Sequence, residues 1–311
     1  MTNNNRVASW DRIGSDVSHC NNMEQVLRSS GLDYEVEKVP VALWTGEDVP
    51  TPMQSVIANR FATVNSNGKV YDVVSDKFEV VQNRDAFDFV NYMGATVEFV
   101  KAGETSNGMV YIIGKLPEVD ILGDAFTPYV IFRNGFSGKY KITAAICPLR
   151  IVCQNQFNVA FREASNTVTI RHVANANAKL EEAREVLKRS ADFMEVLKNR
   201  ATMLVGTKLS PRVLENVLNV MFPTEGLEDM NAFKRNRIVT ARDAFIAAYN
   251  HDDNTNFRGT AWGIVNAYTD YITHKDASGQ ARTRDEGKFV KVTFGTPEVN
   301  RIIDVIETVA A

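Results

Sequence analysis

Arg133, Lys139, Lys141, Arg150, Arg162 and Arg171 fall within one stretch of the chain that holds a single acid, Glu163, so the stretch from Arg133 to His172 carries a net charge of +5. The whole chain has a formal charge of −3. Phe136, Tyr140, Phe157 and Phe161 are interleaved with those cations. Cations neutralise phosphates and aromatic rings stack on bases, so this mixture is what a surface needs to follow a nucleic-acid strand. The six cations, with His172 at the end of a strand, are the expected phosphate contacts, and Phe136 and Tyr140 the expected stacking rings. The competing reading is a solvated charged face. The charge is local: the 132 residues before the stretch have 10 Lys+Arg and 18 Asp+Glu, and the residues after it have 19 of each. A second cluster, Lys234, Arg235, Arg237 and Arg242, has no acid from Asn231 to Arg242; on a helix Lys234, Arg237 and Arg242 share a stripe, which makes Lys234, Arg235 and Arg237 candidate nucleic-acid contacts, the competing reading being a solvated helix face that balances the acids upstream.

Other chemistry is sparse. Gly135-Phe136-Ser137-Gly138-Lys139 approaches a phosphate-binding loop, but only two residues separate the glycines and Tyr140 follows the lysine. That spacing reads as a flexible hairpin tip rather than a nucleotide-hydrolysing loop. The chain has no G-x-S-x-G elbow, no H-E-x-x-H and no zinc-ligand spacing. His251-Asp252-Asp253 is the one tight group of metal-type ligands, and its polar surroundings fit a loop that terminates a helix better than a cation site. No catalytic residue, metal or cofactor is expected. Cys20, Cys147 and Cys153 are odd in number and form no C-x-x-C pair, which suits buried thiols in a reducing compartment.

The elements that must position these residues divide the chain in two. With 311 residues, 44% hydrophobic and 23% charged, it has the composition of a globular protein. No apolar run approaches the roughly 18 to 20 residues that cross a bilayer, and the first residues lack the apolar core of an export signal, so a cytoplasmic protein is expected. Apolar alternation on either side of Asn65-Ser66-Asn67-Gly68, and again around Ser106-Asn107-Gly108, predicts two hairpins; a third is expected around Asn134-Gly135. A short helix fits residues 84–93. Pro148 is expected to end a strand, with a helix over LRIVCQNQFNVAFREA carrying Leu149, Val152, Cys153, Phe157 and Ala160 on one stripe, followed by a strand at TVTIRH. From about Asn177 the period becomes helical: one long helix to Gly206, another opened by Ser210-Pro211, and further helices over 231–249, 259–274 and 297–310. RTRDEGKFVK, mixed in sign, carries no assignment. The expectation is an α+β protein: an arm over 1–40, an antiparallel sheet domain with hairpins and short helices over 41–175, and a helical region over 176–311.

Two tracts mix polar and apolar residues in a way that packing alone does not explain. CPLRIVCQNQF sets Arg150, Gln154, Asn155 and Gln156 among apolar residues, and FRGTAWGIVNAYTDYITH sets Asn266, Thr269, Asp270 and His274 among Trp262, Tyr268 and Tyr271. Both a partner or ligand interface and a buried hydrogen-bonding network fit them, the network being the commoner outcome. These tracts, with TIRHV and the KLEEA helix, resemble a family of phage- and plasmid-encoded proteins of unknown function over about Val41 to Phe294. The resemblance implies a mobile-element origin and a cytoplasmic setting. The order of hairpins, short helix and basic strand is also similar, at the level of architecture, to the core of phage single-strand annealing proteins, which bind single strands by the backbone without hydrolysing nucleotide. The expected function is therefore non-enzymatic single-stranded DNA binding, in the manner of a strand-annealing recombination protein, by a homo-oligomer. The alternative is a protein-interaction factor that docks a host defence component through the acidic first 132 residues.

Overall fold

The computed structural model describes residues 7–43, 56–87, 97–159, 167–173, 190–274, 281–295 and 298–310. The first half runs β1 (Ser15–Asp16), α1 (Met23–Ser29), β2 (Val36–Ala42), β3 (Val56–Asn65), β4 (Val70–Ser75), α2 (Asn83–Phe87), β5 (Glu98–Glu104), β6 (Met109–Lys115), β7 (Val119–Ile121), β8 (Asp124–Gly135), β9 (Ile142–Arg150), β10 (Asn155–Gln156) and β11 (Thr167–Ile170). Among the described residues the strands form an eight-stranded sheet, ordered β1-β5-β6-β8-β9-β10 with β7 on β8 and β11 on β9, and a three-stranded sheet β2-β3-β4. The pairings are antiparallel. The second half is helical: α3 (Ser190–Gly206), α4 (Pro211–Met221), α5 (Ala232–Tyr249), α6 (Ala261–His274), α7 (Ala281–Phe294) and α8 (Glu298–Ala310). The layout is α+β.

The central strands are apolar along their length because both faces of the sheet are covered. Met109, Tyr111 and Ile113 of β6 pack with Trp10 and Phe289 on one face, while Val110 and Ile112 pack with Val26 and Leu27 of α1 on the other. The period of two along a strand produces that division. β7, β8 and β9 also contribute Ile121, Phe126 and Ile146 to a third cluster, where they meet the helices through Phe193, Phe245, Trp262 and Ile302. α6 is the axis of this cluster and is buried at every residue from Ala261 to Asp270. Gly263 permits the approach, since a Cβ there would lie 2.1 Å from the Phe257 carbonyl oxygen.

The three expected hairpins are present, as are the strand at TVTIRH and the helix opened by Ser210-Pro211, whose serine caps α4. The third reversal falls after Gly135 rather than at Asn134-Gly135, because Asn134 is held in the ladder opposite Val110 and its buried amide donates to Val81 O and Asn83 Oδ1, each at 3.1 Å. Of the short helix over 84–93 only the part in α2 is described; 88–93 lie outside the described residues, as does the start of the long helix before Ser190.

One expected helix is replaced by a strand and a hairpin. β9 continues through Pro148 to Arg150, and β10 returns along it with Asn155 opposite Arg150 and Gln156 opposite Leu149. Pro148 faces Pro128 of β8. The Pro128 carbonyl accepts from Leu116 and the Pro148 carbonyl from Phe157, so both prolines face outward from their own pair, at a position that asks for no N–H between them. The helical spacing of Leu149, Val152, Cys153 and Phe157 was real, but the Gln154-Asn155-Gln156 run decides the local structure. Gln156 is completely buried; its N–H donates to Thr273 Oγ1 at 3.1 Å, and its Oε1 accepts from the Ser9 N–H at 2.8 Å. The two polar tracts thus meet each other in a buried network. α7 was not expected at all: its charges hide a buried side, with Phe289 fully enclosed and Glu286 buried.

Candidate nucleic-acid interface

The basic stretch separates into residues that the fold consumes and residues that it leaves in solvent. Arg150 is consumed. It is 2% exposed, and its guanidinium meets Asp124 Oδ2 at 2.8 and 2.9 Å, the Asp253 carbonyl at 2.8 Å and the face of Phe257. Burial raises the Asp124 pKa, and the neighbouring arginine opposes that rise. Phe136 is consumed as well: fully buried, it sits 5.2 Å from the Tyr71 ring and 6.0 Å from the Tyr34 ring, and its carbonyl accepts from Thr63 Oγ1 at 2.6 Å. His172 stacks on Phe78 at 5.0 Å, with Nδ1 at 3.2 Å from the Glu79 carbonyl, and burial pushes its pKa down to about 4. Neither a phosphate at Arg150 or His172 nor a base on Phe136 fits this burial. The expectation for these three is corrected on that ground, while Arg162 lies outside the described residues.

Lys139, Lys141 and Arg171 remain exposed. β11 pairs with β9 up to Ile170 opposite Ile142, so continuing the antiparallel register by one residue brings Arg171 beside Lys141 at the same end of the sheet. Lys139 lies in the reversal just before them. None of the three has a carboxylate within 4 Å among the described residues. The second cluster, on α5, is also exposed: every residue from Ala232 to Arg237 faces solvent, including Lys234, Arg235, Arg237 and a Phe233 that is 78% exposed. The helix is anchored further along, through Phe245 and Ala248, and begins at Asn231, whose Oδ1 accepts from the Lys234 N–H at 2.9 Å. Arg242 is drawn away into a pair with Glu215 and Asn219 of α4.

Arg133 and Tyr140 occupy a different place. They line a pocket of about 290 Å³ together with Ser106, Asn107, Glu286 and Phe294. Tyr140 folds back over the end of β8 because residue 135 is glycine; a Cβ there would stand 2.8 Å from Tyr140 Cβ. The Arg133 guanidinium carbon lies over the Phe294 ring, 4.3 Å from its centre, and Nη2 donates to Thr143 Oγ1 at 2.9 Å. Its Nε is enclosed without a partner among the described residues. Burial lowers the Arg133 pKa, and no carboxylate lies within 4 Å of it among the described residues. A buried donor left unmatched costs about 1–3 kcal/mol. On the opposite wall, Glu286 Oε2 accepts from the Ser106 N–H at 2.9 Å and from the Ser106 hydroxyl at 2.5 Å. Sequence reasoning found Arg133 and Tyr140 but not the walls around them. Ser106 and Asn107 read only as a turn, and Glu286 sat in a segment whose mixed charges concealed its buried side.

Residues 70–293 match the family described as a domain of unknown function, DUF932. The chain belongs to the DUF932 family. No curated protein and no solved structure matches it. The span shared with DUF932 includes the sheet end, the exposed start of α5 and the pocket as far as Lys291, with Phe294 and Gly295 just beyond it. Among the described residues of this DUF932 chain, no helix is long and apolar enough to cross a membrane. No group of three His, Cys, Asp or Glu that could hold a metal occurs among them either. His251 instead caps the turn that follows α5, with Nδ1 accepting from the Asp253 N–H at 3.3 Å. The three cysteines are buried and free, and burial pushes the Cys147 thiol up to about 12 and the Cys153 thiol to about 11.

Proposed function

We propose that the protein binds single-stranded nucleic acid without catalysis, as a strand-annealing or strand-protecting protein of a phage or plasmid acting in the host cytoplasm. The observation that carries this reading is the group of three exposed cations, Lys139, Lys141 and Arg171, at one end of the main sheet with no carboxylate partner among the described residues. Positive charge left unneutralised on the surface of an acidic chain attracts phosphates and releases their condensed counterions. The exposed start of α5, where Phe233 stands next to Lys234 and Arg235, adds a ring and further charge of the same kind. A long strand reaches across several subunits, so assembly into a homo-oligomer belongs to the proposal.

The test is the binding of a labelled single-stranded oligonucleotide at a series of salt concentrations, with light scattering on the same samples. Three phosphate contacts give a log-log slope of roughly −2, and participation of the three α5 cations steepens it to roughly −4. Replacing Lys139, Lys141 and Arg171 with Glu should remove most of the binding and leave the melting temperature nearly unchanged, since each exposed side chain contributes within about 0.5 kcal/mol of stability. A flat salt response by the wild-type protein, or undiminished binding by the triple variant, would overturn the assignment of the sheet end.

A further inference from the structure

We propose that the pocket between the β5–β6 turn, the end of β8 and α7 binds the phosphate end of a nucleotide. Three features converge there. Arg133 is a largely enclosed cation with no carboxylate within 4 Å among the described residues, and only Nη2 of its guanidinium has a hydrogen-bond partner among them. The Phe294 ring beneath the guanidinium carbon and the Nη2 bond to Thr143 hold the group in place in the pocket wall, and the planar fork of a guanidinium is suited to bidentate contact with a phosphate. The cavity, about 290 Å³, is larger than a bare oxyanion fills, and the Tyr140 and Phe294 rings in its wall suit a sugar or base attached to the phosphate. Glu286 sets the polarity of the ligand. An anion is favoured at Arg133 and repelled at Glu286, so the phosphate belongs on the Arg133 side and the hydrogen-bond donors of the sugar or base face α7. This site does not require the sheet end to bind a strand.

A cation kept for a ligand has a different signature from a structural ion pair. Removing half of a buried pair is strongly destabilising because it strands an uncompensated charge, whereas removing a buried charge that has no opposite charge beside it strands none. Thermal melting of the full chain in inorganic phosphate and in thymidine 5′-monophosphate, against chloride at matched ionic strength, reads this directly. The wild-type protein should gain about 2–4 °C in either ligand. Arg133→Met should melt at or above the wild-type temperature in chloride and gain nothing from either ligand. Arg133→Lys keeps the charge and loses the fork, and should bind the mononucleotide at least tenfold more weakly by calorimetry; it serves as the folded control if the methionine variant does not accumulate. The source of the phosphate is separated by comparing an oligothymidylate with and without a 5′-phosphate. Tighter binding of the phosphorylated form, lost in Arg133→Lys, supports a strand end, and equal binding with a retained mononucleotide response supports a free nucleotide. An equal phosphate response in wild type and variants, or a wild-type protein with no response at all, overturns the site even if the sheet end binds DNA.

Discussion

At the scale of single residues, equal charge does not mean equal role. Lys141 and Arg150 stand at the two ends of the same strand region, yet one is in solvent and the other is 2% exposed. His172 shows how burial converts a candidate contact into a pH sensor of stability. Its pKa falls from 6.5 to about 4 on folding, so the unfolded chain binds a proton that the folded chain refuses between those values. The stability it contributes is complete above pH 6.5 and is lost as pH falls toward 4. Chemical unfolding at pH 7.5 and 4.5 should show roughly 2–3 kcal/mol more loss for the wild type than for His172→Gln, the difference cancelling the titration of other groups. An identical pH dependence in the two proteins would mean that His172 is solvated. Alternation along TIRH places His172 on the same inward face as Ile170, but nothing in the sequence shows that the imidazole stacks on Phe78, almost a hundred residues earlier.

At the scale of elements, hairpins and capped helices were legible where local chemistry dictates them. Asn65 illustrates why: its side-chain oxygen accepts from the backbone of Asn67 at 3.0 Å and of Lys69 at 2.9 Å, so the turn is written into five consecutive residues. The β9–β10 hairpin was not legible, because the polar run that specifies it is satisfied by α6 and by Ser9, which are remote in sequence. Arg150 ties the same region together, joining β8 and β9 to the turn at 252–257. Arg150→Met should cost roughly 3–5 kcal/mol, because Asp124 is left half-enclosed with its charge unmatched. The double change with Asp124→Leu should recover a large part of that loss in a denaturant titration. If the single and double variants are equally unstable, the contact with the Asp253 carbonyl, rather than the ion pair, holds the elements.

At the scale of the whole molecule, the division into a sheet half and a helical half was legible from the change of period near residue 177, but the contact between the halves was not. Phe126, Ile146 and Phe157 leave the sheet region to join the helical cluster, and Phe289 of α7 crosses the other way to pack on Tyr111. The candidate pocket is a product of that exchange, since its walls come from both halves. Its charge pattern was visible in sequence only on the Arg133 side.

The two described tryptophans sit in different clusters, and this gives the protein an optical readout of its own cohesion. Trp10 lies against Tyr129 on the sheet, and Trp262 stacks on Phe157 among the helices. With Trp44 replaced by Phe, the further change Trp262→Phe leaves emission from the sheet side alone, and Trp10→Phe leaves emission from the helical side alone. Because side chains from each half are interleaved with the other, the two emission signals should shift at the same denaturant concentration, as one cooperative unit. Separated midpoints would show that the exchange of side chains is too weak to couple the halves, and that the pocket is lost with the first core to melt.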